Sequence, residues 1–251
     1  MIVPHGGTMR SKASGRLKVG TKEKIVEVSR RLFSEHGLDA VPLRDIAAEA
    51  GVNGAAINYH FGTKEHLIRE IYRQLFEGLN KSRIKALDDY EASLNGKKAA
   101  PEKIVRAWIA STVKFSTSQE RGGIYWVRLL FHAYGVSREF VDQSIGEQID
   151  HITTRFVEAL HVAMPNSSRE DLFWRFDFAI GACLHILIDK RRGHRLNRIS
   201  GGLCDTEDNE RTIDQLVASI TASLTAPRLA KRAKQSKPKK TSIRRLPKTD
   251  L

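Results

Sequence analysis

Apolar residues recur at helical spacing through most of the chain, and no hairpin signal interrupts them, so the pattern predicts an all-α protein. Leu43, Ile46, Ala47 and Ala50 fall at i, i+3, i+4 and i+7, one stripe of a short helix. Gly51 stands where that helix must stop, since glycine takes the left-handed conformation without steric cost. Asn53 is a good N-cap for a second helix running to about His60, with Ile57 and Phe61 facing inward. Gly62 ends that helix and Thr63 caps the next. Upstream, Ile25, Val28, Leu32 and Phe33 form the inner face of a helix over 21–36, closed by Gly37. Downstream, Leu67, Ile71, Leu75 and Leu79 step by four, with Tyr72 and Phe76 beside them, predicting one long helix to about Leu94. Pro101 opens the remainder, which reads as helices over 101–119, 123–134, 137–163, 168–190 and 209–225.

The helix over 168–190 has almost no polar face, and a helix that is apolar all round must be covered on every side. One side faces the core and the other a subunit partner, with Phe176, Ile180, Cys183, Leu184 and Leu187 assigned to that contact. Ile213, Leu216, Val217 and Ile220, at helical spacing in the last helix, join them. The intervening stretch 191–208, basic first and acidic last, reads as an exposed loop. Trp108, Phe115, Trp126, Phe131, Trp174 and Phe178 supply aromatic walls for an apolar pocket between the later helices. His132 and His151 are the leading polar anchors, and Arg128, Arg175 and His185 also lie within reach. Each of these aromatics taken alone is more often core than ligand wall.

Helix, glycine turn, helix over 42–61 is the layout of a helix-turn-helix DNA reader, although many all-α proteins contain the same succession. The second helix strengthens the reading. Gly54, Ala55 and Ala56 are small where a backbone must approach another surface, and Asn58, Tyr59 and His60 occupy the exposed side, where a core face would carry large apolar groups. Lys64 lies in the first turn of the next helix, whose free N–H groups attract anions. Tyr59 suits a phosphate, Arg44 backbone or a base edge, Asn58 the edge of adenine, and Ala55 or Ala56 a thymine methyl. Asn53 caps its helix, touches phosphate, or does both. His60 is either a DNA contact or a packed helix-end residue.

The run GVNGAAINYHFGTKEHL, preceded by LRDIAAEA and by KIVEVSRRLFSEHG, resembles the N-terminal domain of TetR-family transcriptional regulators over roughly residues 20 to 68. The family usually has Thr or Ser before the first motif helix, where the hydroxyl touches a phosphate. Val41 and Pro42 stand there in this chain, so that contact is not carried over. The resemblance implies a DNA-binding repressor acting as a homodimer through its last two helices, bound to a palindromic double-stranded operator and released by a small effector. LFWRFDFAIGA, with VNGAAINYHFG upstream, is similar to members that sense fatty-acyl or other hydrophobic compounds. The rival reading is a helical dimer acting through protein contacts or non-specific nucleic-acid binding.

Charge sharpens the domain plan. The net charge is +13 over 251 residues, but Arg10, Lys12, Arg16 and Lys18 face no acid in 1–20, and 227–251 carries many Lys and Arg against Asp250 alone. Both are expected to be disordered basic segments flanking a DNA-binding domain over 21–66 and a ligand-binding and dimerisation domain over 67–226. The reading module itself is close to neutral. The basic tail either adds phosphate contacts or serves as a solvated solubility tail. No leader or membrane-length apolar run is seen, and a cytoplasmic protein is expected. Walker, GxSxG and HExxH patterns are missing, the histidines form no i, i+3 or i, i+4 pairs, and Cys183 and Cys204 make no metal spacing. The reading is therefore no enzyme, no metal and no cofactor.

Overall fold

The computed structural model describes residues 20–119, 123–135, 139–191 and 193–227; nearly all of the expected arm and of the expected tail lies outside them. The described residues contain helices and turns and no strand. Three helices make the N-terminal unit: α1 (Thr21–His36), α2 (Leu43–Ala50) and α3 (Gly54–Phe61). Their shared core holds Ile25, Val26, Leu32, Phe33, Ile46, Ala47, Ile57 and Phe61. Val26 is buried and Val28 only half-buried, a small rotation of α1 from the expected face.

Local chemistry sets the helix ends. Gly51 adopts φ 63° and ψ 37°, and the N–H groups of Gly51 and Val52 return to the carbonyls of Ala48 and Ala47, a glycine-dependent stop. Asn53 Oδ1 accepts from the Ala55 N–H at 3.0 Å and so starts α3. Thr63 Oγ1 accepts from the His66 N–H at 3.3 Å and starts α4 (Lys64–Ser93), a helix of 30 residues. Pro42 is the N-cap of α2 and offers no side-chain acceptor.

Helix α4 buries Leu67, Ile71, Tyr72, Leu75, Phe76, Leu79, Arg83 and Leu87 along one stripe. Around it stand α5 (Pro101–Ser116), α6 (Gly123–Gly135), α7 (Glu139–Ala163) and α8 (Arg169–Arg191), and α10 (Asn209–Thr225) packs on α5 and α8 beyond them. Aromatic side chains join these layers. Trp126 meets Phe76 and Phe115 edge-on with centroids 6.2 and 6.1 Å apart, and Trp108 lies 5.0 Å from Phe176. Such rings bury large areas and gain from tilted contact. Gly123 opens α6 directly against the Phe115 carbonyl, where a Cβ would collide.

Two expectations are corrected. The stretch 191–208 is not simply an exposed loop. It contains a short helix, α9 (Arg195–Ile199), held because the buried Asp189 carboxylate accepts from the Leu196 N–H at 3.1 Å, and Thr206 is buried nearby. The inner and outer faces of α8 are also exchanged. Phe176, Cys183 and Leu187, expected at a subunit contact, are buried within this chain. Trp174 and Phe178, expected in the pocket, point outward and are 60% and 61% exposed. A helix with apolar residues on every side has no periodic phase from which its inner face can be read.

Candidate nucleic-acid interface and internal cavity

Helix α3 presents its outer side to solvent because Ile57 and Phe61 anchor its inner side. Asn53, Gly54, Ala55, Asn58, Tyr59 and His60 are exposed, and Tyr59 is 86% exposed with no packing role. Its ring contacts only its neighbour His60, edge-on at 5.1 Å, among the described ring pairs. Ala56 is half-buried against the core, so Ala55 is the alanine on the open face. Arg44 extends from α2 with its side chain 87% exposed, its Nε 3.3 Å from Asp45.

Lys64 packs back onto the N-terminal unit. Its Nζ donates to the Asp39 carbonyl at 3.3 Å and lies 5.6 Å from the Phe33 ring centroid. Partial burial lowers its pKa. The ammonium thus ties the start of α4 to α1 and the loop after it. His66 Nδ1, 3.2 Å from the Phe61 carbonyl, braces the same turn.

Ion pairs fix the reading unit from behind. Arg31 bridges Glu35 and Glu49, joining α1 to α2. Arg30 donates to Gln74 at 3.3 Å, and Lys22 lies 3.6 Å from Glu70, joining α1 to α4. Glu70 also accepts from Arg73 and Gln74, and these hydrogen bonds hold its pKa down to about 2. Helix α4 therefore carries the module as a unit. On the other side, Tyr72 reaches α6, and His132 at the end of α6 lies beside Gly37 at the end of α1.

Deeper in the chain, α4 to α8 enclose a cavity of about 30 Å³. Trp108 and Trp126 line it as expected, with Phe76, Leu130, Ile152, Ile180 and Leu184. Phe115 stands behind Trp126. The remaining pocket candidates lie elsewhere. Phe131 is 38% exposed and, with the half-buried His132, belongs to the end of α6. His151 edges an open groove of about 690 Å³ between α4 and α7, lined by polar residues including Glu77 and Asp88. Among the polar anchors, Arg128 and His185 are exposed, and Arg175 donates to the carbonyls of Ser223, Leu224 and Ala226 at the end of α10.

The cavity's cation is one that sequence reading missed. Arg83 of α4 is 5% exposed and lines the cavity with Cys183. Desolvation lowers its pKa to about 10, and burial pushes the Cys183 thiol up to about 12. Arginine stays charged and the thiol neutral at physiological pH. Arg83 lies one turn beyond Leu79 on the buried stripe, which is the signal that marks it.

Of the expected dimer residues, Ile213, Leu216, Val217 and Ile220 are buried beside α8 and α5, while Ile180 and Leu184 are half-buried at the cavity. Among the described residues, exposed apolar groups include Trp174, Phe178 and Phe173 on α8, Val162 on α7 and Ile199 on α9, and Leu203 before α10 lines a groove of about 540 Å³ between α8 and α10. No described helix is long and apolar enough to cross a membrane.

Residues 25–71 match the model of the bacterial regulatory proteins, tetR family, and residues 106–223 match the tetracyclin repressor-like C-terminal domain. The transcriptional regulator AcrR of Shigella flexneri is 31% identical over 113 residues, covering 45% of this chain and 48% of that protein. The transcriptional regulator BetI of Agrobacterium fabrum is 30% identical over 110 residues, covering 39% of this chain and 53% of that protein. The chain thus spans about half the length of these curated relatives. The fatty acid degradation regulator FadR of Bacillus halodurans shares the fold, with a TM-score of 0.58 at 13% identity, covering 84% of this chain and 99% of that one.

Proposed function

Because the chain belongs to the TetR family of transcriptional regulators, we propose that it is a repressor that binds a palindromic operator as a homodimer and leaves it when an apolar effector enters the cavity. The observation that carries this reading is Tyr59, fully presented beside Asn58 on a capped helix whose other side is anchored in the core. Tyr59 donates its hydroxyl to a phosphate, and Asn58 pairs with adenine N6 and N7 in the major groove. Ala55 meets a thymine methyl, Arg44 reaches the backbone, and the first turn of α4 completes the phosphate contacts.

One α3 reads only a few base pairs, so two copies on a two-fold axis are needed for specific affinity. Trp174 and Phe178, with the groove between α8 and α10, support an interface there, since an uncovered aromatic face on a soluble helix bundle marks an interaction surface. Effector binding shifts the population toward a state in which α4 tilts and the two reading units no longer match the operator; an effector with equal affinity for both states changes nothing.

Electrophoretic retardation of the DNA beside this gene, with unrelated competitor DNA, tests the reading. Retention that survives competitor and is lost in Tyr59→Ala, at unchanged melting temperature, is expected. Uniform binding to all DNA, or normal retardation by Tyr59→Ala, sinks it.

A further inference from the structure

Arg83 holds a full positive charge inside an apolar cavity with no counter-ion among the described residues. Its Nε and Nη2 both donate to Thr112 Oγ1, at 3.0 and 2.9 Å, and its Nη1 donates to Asn80 Oδ1 at 3.1 Å. Its guanidinium carbon lies 5.3 Å from the Trp108 ring centroid. All these partners are neutral, and among the described residues no carboxylate pairs with it. A guanidinium has five N–H groups, so these bonds leave two without acceptors among the described residues. Thr112 spends its own proton on the Trp108 carbonyl at 2.7 Å, which fixes its lone pairs toward Arg83.

The remaining polar atoms of the lining point to the same chemistry. Trp108 Nε1 and Trp126 Nε1 are both buried without a hydrogen-bond partner. Cys183 is a neutral thiol. The cavity thus offers a cation and surplus N–H donors, walled by Phe76, Leu130, Ile152, Ile180 and Leu184. Buried charges are ordinarily paired, and an unsatisfied buried donor is costly. An acceptor-only, planar anion satisfies both deficits, because a carboxylate takes two parallel N–H bonds from one guanidinium.

We propose that Arg83 is the specificity-determining anchor for an apolar carboxylic acid, bound as its carboxylate with its hydrocarbon part among the aromatic and aliphatic walls. The proposal rests on the reading that this cavity receives the effector. A cavity of about 30 Å³ holds little more than one water, so the hydrocarbon part must part α6 and α8 on entry. Arg83 belongs to α4, so the carboxylate pulls on the helix that carries the reading unit.

The test uses the full chain without DNA, titrated with phenylacetate, hexanoate and decanoate and with the corresponding neutral amides, followed by tryptophan fluorescence and melting temperature. At least one carboxylate is expected to saturate the signal and raise the melting temperature, with its amide at least tenfold weaker. Arg83→Gln should bring the carboxylate down to the level of the amide, and Arg83→Lys should retain part of the preference. Trp108→Phe, which keeps an aromatic six-membered ring and removes the indole N–H with its five-membered ring, should weaken the carboxylate more than its amide and decides the matter if Arg83→Gln does not fold. Equal binding of acid and amide, an unchanged preference in the folded variants, or binding of inorganic phosphate or sulfate with none of the carboxylates overturns the proposal. Operator retardation is measured separately: a carboxylate that binds through Arg83 without releasing DNA upholds the anchor and overturns effector-driven release.

Discussion

The Tyr72 hydroxyl donates to the main-chain carbonyl of Leu129 at 2.8 Å, joining the first third of α4 to α6 inside the core. Both residues are buried, and burial pushes the phenol's ionisation upward, so the donor remains protonated. The bond links the helix that carries the reading unit to one that walls the cavity. Tyr72→Phe keeps the ring and removes this link. A loss of about 1 kcal/mol in stability is expected from urea unfolding, the ordinary net worth of one buried hydrogen bond. No change in the urea midpoint would show that the contact contributes nothing.

Asn53 caps α3, and the proposed DNA contact gives it a second, separable task. Capping α3 requires an oxygen acceptor, which Asp also provides, whereas a site near phosphate does not tolerate a negative charge. Asn53→Ala is expected to lower stability by about 1 kcal/mol. Asn53→Asp is expected to melt normally yet bind the operator at least tenfold more weakly. Normal DNA binding by Asn53→Asp would confine the residue to capping.

Trp174 and Phe178 are expected to be covered by a second copy of the chain. Replacing both with Glu should convert the sedimenting species from dimer to monomer and reduce operator retention, while far-ultraviolet dichroism stays the same. A double variant that still sediments as a dimer would move the interface to another face.

Glu70 makes stability depend on acid. Its folded-state pKa of about 2 lies below the unfolded carboxylate value of about 4.3, so its contribution is complete above the unfolded value and fades as pH falls toward the folded one. In Glu70→Gln, the drop in melting temperature between pH 4.3 and pH 2 should be shallower than in the unaltered protein. Parallel curves would assign the acid sensitivity to other groups.

The helix ends of the N-terminal unit were legible because their signals are local: Gly51 needs a left-handed backbone, and Asn53 and Thr63 carry oxygen acceptors at the right offset. The outward set Asn58, Tyr59 and His60 was legible from the inward pair Ile57 and Phe61. The faces of α8 were not, because apolar residues surround that helix and its rotation is fixed by tertiary packing, such as Phe176 on Trp108 and Phe156. Arg83 escaped notice because a charged residue on α4 reads as solvent-facing until Thr112 and Asn80, brought by tertiary packing and by the preceding turn, accept its hydrogen bonds. Helix α9 depends on Asp189, whose burial no short-range pattern announces.

Helix α4 runs without a break from Lys64 through Arg83 to Ser93. At about 1.5 Å per residue, Arg83 and Lys64 are roughly 28 Å apart along its axis. Pivoted near Arg83, a tilt of about 7° carries the Lys64 end through about 3.5 Å, close to the rise of one base pair. In the proposed release the helix would serve as a lever arm: a rotation of a few degrees about the cavity becomes an error of about one base pair in register at the far end, with no need to unfold or detach the reading unit.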